Sequence, residues 1–99
     1  MNFPQKVIKR NGKQEKFLKK KIIVSIKNSV KDAEIRNDDL VFDITEKVLA
    51  NLSERYKSRG EISTYDINSI VEKVLAEKGF FNVLKAFIIY REEKKSRRE

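Results

Sequence analysis

The sequence predicts an α+β fold, a four-helix arrangement capped by a small three-stranded sheet with an N-terminal β-hairpin. Three observations carry this reading. Asn11-Gly12 separates two short segments that alternate apolar and charged residues, and later stretches repeat apolar residues at helical spacing. Between the helical stretches, Glu61-Ile62-Ser63 follows Gly60 as a short extended segment.

Asn11-Gly12 predicts a type I′ turn joining Val7–Arg10 to Gln14–Phe17, because both turn residues tolerate positive φ. Alternation puts Val7 and Lys9 on one face of the first strand and Ile8 and Arg10 on the other, with Glu15 and Phe17 sharing a face of the second. Such a hairpin is half buried and carries cations on its surface. Ile22, Ile23, Ile26 and Val30 predict a helix over Lys19–Asp32, with Lys19, Lys20 and Lys21 crowded into its first turn. Exposed cations there oppose the helix dipole by about 0.3–1 kcal/mol each unless an anion meets them.

Asn37 or Asp38 can cap a second helix reaching Arg55, with Leu40, Val41, Ile44, Val48, Leu49 and Leu52 as its apolar stripe. Ser63 or Thr64 caps a third, and Ser63-Thr64-Tyr65-Asp66 is a capping box with Asp in place of Glu. Ile67, Ile70, Val71, Val74 and Leu75 form its core face. Gly79 then separates it from a last helix bearing Phe80, Val83, Leu84, Phe87, Ile88 and Tyr90. The ending Arg91–Glu99 is expected to fray into solvent.

Length and composition bound the function. Residues 1–99 are expected to form a single domain, with a core over 6–92 and a basic tail over 93–99. The 23 Lys+Arg against 15 Asp+Glu give a net charge of +8, which favours anionic partners. The chain has no cysteine and no histidine, which excludes disulfides, thiolate chemistry, Cys/His zinc sites and imidazole catalysis. No apolar run approaches the roughly 18 residues of a membrane span, and the first residues lack the apolar core of a signal peptide. A cytoplasmic location without a membrane partner is expected.

The pattern V-I-K-R-N-G-x-x-E-x-F-x-x-x-K-I over Val7–Ile22, with I-S-T-Y-D-I over Ile62–Ile67 and A-F-I-I-Y-R over Ala86–Arg91, resembles the ATP-cone family. That family is a nucleotide-binding regulatory module of ribonucleotide reductase large subunits and of the transcriptional repressor of reductase genes. The resemblance implies four helices capped by a three-stranded sheet, in agreement with the pattern read above. It also implies that Lys9, Arg10 and Lys21 surround the phosphates of ATP or dATP. Ammonium heads, a guanidinium fork and the free N–H groups of a helix start suit that anion. By the same resemblance Glu15 and Thr64 lie near the adenine, Val7, Phe17 and Ile22 wall the base or ribose, and Arg91 matches a further contact on the last helix. Two positions depart from the family pattern. Leu18 stands where Asp or Asn usually follows the Phe, removing a helix cap, and Glu92 follows Arg91 where reductase members commonly carry another basic residue.

Each site has a blander reading: Asn11-Gly12 as a turn, Thr64 as a cap, Tyr90-Arg91 as a helix end, the lysines as a solvated face. Their joint order and spacing favour the nucleotide reading. Neither G-x-x-x-x-G-K-[ST] nor G-x-G-x-x-G occurs, and no catalytic pair stands out, so the chain is expected to be no enzyme. Mg2+ is expected only as the companion of the triphosphate. Expected partners are a second copy of the chain or an enzyme such as a ribonucleotide reductase, of which this chain could be a detached front end. The alternative is a basic nucleic-acid-binding domain. Against it, Glu92, Glu93 and Glu99 interrupt the basic tail, and no aromatic platform lies among the hairpin cations. The repressor relatives read DNA with help from a Cys-rich zinc ribbon, and with no cysteine these residues are expected not to use that route.

Overall fold

A computed structural model describes residues 3–56 and 60–98, with side chains described as far as residue 93. The element order is β1 (Lys6–Ile8), β2 (Gln14–Lys16), α1 (Lys19–Asp32), α2 (Asp38–Tyr56), β3 (Glu61–Ser63), α3 (Thr64–Glu77) and α4 (Phe81–Arg98). This is the α+β architecture that the sequence predicts. The sheet runs β2-β1-β3. β1 pairs antiparallel with β2, Val7 opposite Glu15, and parallel with β3, Val7 opposite Ile62.

The hairpin turn differs from the type I′ expectation. Gly12 N–H donates to the Lys9 carbonyl at 2.9 Å, Lys9 N–H to the Lys13 carbonyl at 2.7 Å, and Gly12 alone in the turn has positive φ, +84°. That is a three-residue connection, a turn over Lys9–Gly12 followed by a left-handed glycine. The Asn11 side chain explains the change, since its Oδ1 accepts from Lys13 N–H at 3.0 Å and so bridges the turn without Asn11 itself adopting positive φ.

Each helix packs against its neighbours in a closed ring, α1 against α2 and α4, and α3 against α2 and α4. Into the centre go Ile22, Ile26 and Val30 from α1, Ile44, Val48 and Leu52 from α2, Ile70, Val71, Val74 and Leu75 from α3, and Val83 and Phe87 from α4. Val7 and Ile62 close the core from the inner face of the sheet. Ile23, although within the apolar pattern of α1, lies outside the core. Among the described residues, no helix is long and apolar enough to cross a membrane.

Caps set the helix bounds. Asn37 Oδ1 accepts from Leu40 N–H at 3.1 Å, so Asn37 starts α2, and Ser63 Oγ accepts from Asp66 N–H at 3.0 Å, so Ser63 rather than Thr64 caps α3. α1 starts at Leu18 with no side-chain cap. The expected fraying after Arg91 is corrected: the backbone stays helical to Arg98. Residues 91–98 are nearly all Arg, Lys and Glu, whose straight chains lose little rotamer freedom in a helix.

α1 and α3 end in the same hydrogen-bond pattern with different residues at its left-handed position. After α3, Gly79 has φ +76° and Phe80 N–H reaches the Leu75 carbonyl at 3.0 Å. After α1, Glu34 has φ +61° and Ile35 N–H reaches the Val30 carbonyl at 3.1 Å. A side chain in that conformation is strained, and glycine is not. Glu34→Gly should therefore stabilise the fold by about 0.5–1 kcal/mol, and Gly79→Ala should destabilise it by a similar amount. Urea unfolding of the two variants measures both signs.

Candidate functional site

Val7, Lys9, Glu15, Phe17, Lys21, Ile22 and Thr64 all line one cleft of about 120 Å³ where the inner face of the hairpin meets α1 and α3. Pleating explains the hairpin's share. Val7 and Lys9 alternate on β1 and its continuation, while Glu15 and Phe17 do so across from them, so all four face the helices. Ile22 sits one residue after Lys21, which lets α1 bury the isoleucine and keep the ammonium group at the rim. Val71 of α3 and Phe87 of α4 deepen the apolar floor.

Glu15 is the electrostatic centre of this cleft. Its Oε1 lies 3.1 Å from Lys21 Nζ and its Oε2 lies 3.3 Å from Lys9 Nζ, so one carboxylate spans cations from β1's extension and from α1. Burial alone pushes the Glu15 carboxyl up, but the hydrogen bonds and charges of Lys21 and Lys9 outweigh it and hold the group below its ordinary value. The Lys21 side chain remains 59% exposed, enough for its ammonium group to exchange partners.

Thr64 Oγ1 points towards the Ile8 carbonyl at 3.5 Å, a separation too long for a strong hydrogen bond. Ser63 performs the capping, so the Thr64 hydroxyl takes no part in it. Arg10 is exposed on the turn and Arg91 lies on α4 one turn beyond Phe87; neither belongs to the cleft lining. Arg91 pairs instead with Glu72 of α3, and its other guanidinium nitrogen lies 3.7 Å from Glu92. This ties α3 to α4 beside the cleft.

Ser25, Asn68 and Leu18 also line the cleft and escaped the sequence reading as lining residues. Ser25 Oγ donates to the Lys21 carbonyl at 3.0 Å, which leaves its oxygen lone pairs as acceptors. Asn68 stands one turn after Thr64 on α3, a spacing that puts the two on one helix face. That spacing was the signal that could have found it.

The Glu15 geometry makes a pH prediction. A carboxyl whose folded-state pKa is depressed adds stability above its unfolded pKa and loses it as pH falls through the folded value. An NMR titration of the Glu15 side-chain carboxyl should give a midpoint below that of an unpaired glutamate, and Lys21→Ala should move it up. A midpoint unmoved by that substitution would remove Lys21 as the cause.

The family model for the ATP cone domain matches residues 5–96, which takes in the hairpin, β3 and the helix ring up to the last turn of α4. The chain is also similar to the ribonucleoside-diphosphate reductase subunit alpha of Treponema pallidum (strain Nichols), 26% identical over 98 residues. That alignment covers 93% of this chain and 11% of the reductase subunit, so the chain spans about a tenth of its relative's length. With the match running from the strand that leads into the cleft to the helix that floors it, the chain belongs to the ATP-cone domain family.

Proposed function

We propose that this domain is a non-catalytic sensor that takes ATP or dATP in the cleft between the hairpin, α1 and α3. ATP-cone domains are regulatory modules that bind these nucleotides. One observation supports the reading most: two lysines from separate elements bracket an apolar cleft, Lys9 and Lys21 standing over Val7, Phe17 and Ile22. An aromatic base needs the apolar slot, and its phosphates need the cations.

Size orients the ligand. Small-molecule pockets usually run to about 300–1,000 Å³. A cleft of about 120 Å³ therefore takes the base end and leaves the triphosphate along the rim. There the phosphates meet Lys9, Lys21 and the uncapped first turn of α1, with Arg10 on the adjoining hairpin turn. In the proposed bound state the lysines turn from Glu15 to phosphate oxygens, which leaves the Glu15 carboxylate to accept from an exocyclic amine. Thr64 supplies a hydroxyl to the base. Mg2+ travels with the triphosphate, whose oxygens suit this hard cation. Arg91 reaches a phosphate only if it leaves Glu72.

The nucleotide's proposed effect is on assembly, with a second copy or with a ribonucleotide reductase, in the cytoplasm. Binding shifts an association only when the ligand prefers one assembly state, and the effect is reciprocal. Phe42, Tyr65 and Phe81 are at least 63% exposed and offer apolar area to such contacts.

Calorimetric titration with ATP, dATP, GTP and tripolyphosphate at physiological salt tests the reading. Tighter binding of ATP and dATP than of GTP is expected. Equal binding of every polyanion, abolished by salt, would overturn it and favour a nucleic-acid partner.

Lys9→Ala and Lys21→Ala should each weaken ATP binding about tenfold or more while leaving the unfolding midpoint nearly unchanged, because each ammonium head lies outside the core. Glu15→Gln should change the ratio of ATP to GTP affinity. Light scattering with and without saturating ATP, on the chain alone and mixed with a reductase, should show a shift in size distribution. No shift in either sample would leave a binding module without the regulatory role.

A further inference from the structure

Phe17 forms part of the cleft wall, and its ring is held by more than the hairpin. Phe3 stacks against it with ring centroids 5.9 Å apart and planes 12° from parallel, an offset stack. On Phe3 in turn lies Lys19, whose Nζ is 4.3 Å from the ring centroid. Lys19, Phe3 and Phe17 thus make a column from three chain segments: the start of α1, the residues before β1, and the end of the hairpin.

The backbone around Phe3 is anchored independently of that column. Gln5 N–H donates to the Gly60 carbonyl at 2.9 Å, the Gln5 carbonyl accepts from Phe17 N–H at 2.9 Å, and Pro4 is buried. The segment before β1 is therefore fastened to both neighbouring strands' ends, and Phe3 is presented to Phe17 from a fixed frame. Phe3 itself does not line the cleft. Its influence on a base in the cleft passes through Phe17.

A phenyl ring turns about its terminal torsion in a broad well, so an unsupported wall ring offers a base its edge as readily as its face. A stacked neighbour restricts that rotation and fixes the plane on which a base can lie. The phosphate end gains nothing from this, because it is met by cations and backbone N–H groups. Support of Phe17 should act on base recognition alone.

We propose that Phe3 is a positioning residue: by holding the Phe17 ring plane it sets the cleft's preference for an aromatic base over a bare triphosphate. This rests on the nucleotide reading of the cleft given above. Phe3→Ala should weaken ATP binding about two- to tenfold and change tripolyphosphate binding less than twofold. Phe3→Leu keeps the bulk without the ring plane and should also weaken ATP binding. Phe3→Trp should restore it, and since the chain has no other tryptophan, its fluorescence should respond to ATP and not to tripolyphosphate. If Phe3→Ala binds ATP like the parent, or if it weakens both ligands equally, the inference is overturned while the nucleotide reading stands. A parent protein that binds no adenine nucleotide overturns both.

Discussion

The middle position of β1 is the constraint on which the arrangement depends. Three residues, Lys6–Ile8, must satisfy hydrogen bonds towards β2 on one edge and β3 on the other, while Val7 points into the helix ring. The antiparallel edge sets Glu15 opposite Val7 and puts Lys9 and Phe17 on the same face as that pair. The parallel edge brings Ile62 beside Val7 and sets Thr64, at the start of α3, against the same cleft. A slip of one residue would turn Val7 outward and Lys6 or Ile8 inward, so burial of one valine also holds the register of the cleft.

Charge is arranged with similar economy. The start of α1 carries three lysines and no acidic residue, which would be unfavourable on an ordinary helix. Glu15 relieves one of them through Lys21, and the Phe3 ring takes the charge of Lys19 on its face. Both arrangements use exposed or half-exposed groups, whose pairing is worth about 1 kcal/mol or less in water and is readily exchanged. A competing anion therefore meets weak local opposition.

Much of the fold was legible because it rests on local signals. Helical apolar spacing, the Asn37 and Ser63 caps and the glycine after α3 each act within a few residues. What escaped depends on partners distant in sequence or on competition between local options. Asn11 could bridge the turn through its side chain instead of through positive φ, and it does so. Glu34 occupies a left-handed position that favours glycine, so its residue type gave no sign of the turn there. Arg91 reads as a free helix-end cation until Glu72 on another helix is brought beside it. In the cleft, the residues of the hairpin follow from strand alternation. Ser25 and Asn68 do not, and only their one-turn spacing from Lys21 and Thr64 marks them, since which turn of a helix faces a hairpin is a matter of tertiary packing.

The parallel pairing of β1 with β3 also governs when the cleft can exist. Lys6 pairs with Glu61, so two whole helices separate strands that lie side by side. The hairpin and the helix pair α1 and α2 draw on local contacts, whereas this pairing must first close the long loop between them. On a ribosome, the hairpin bearing Lys9 and the helix bearing Lys21 emerge well before Ile62 and Thr64. The cleft is then completed only once α3 and Phe87 of α4 have been made, and a growing chain carries Lys9 and Lys21 for some time before the walls between them are closed.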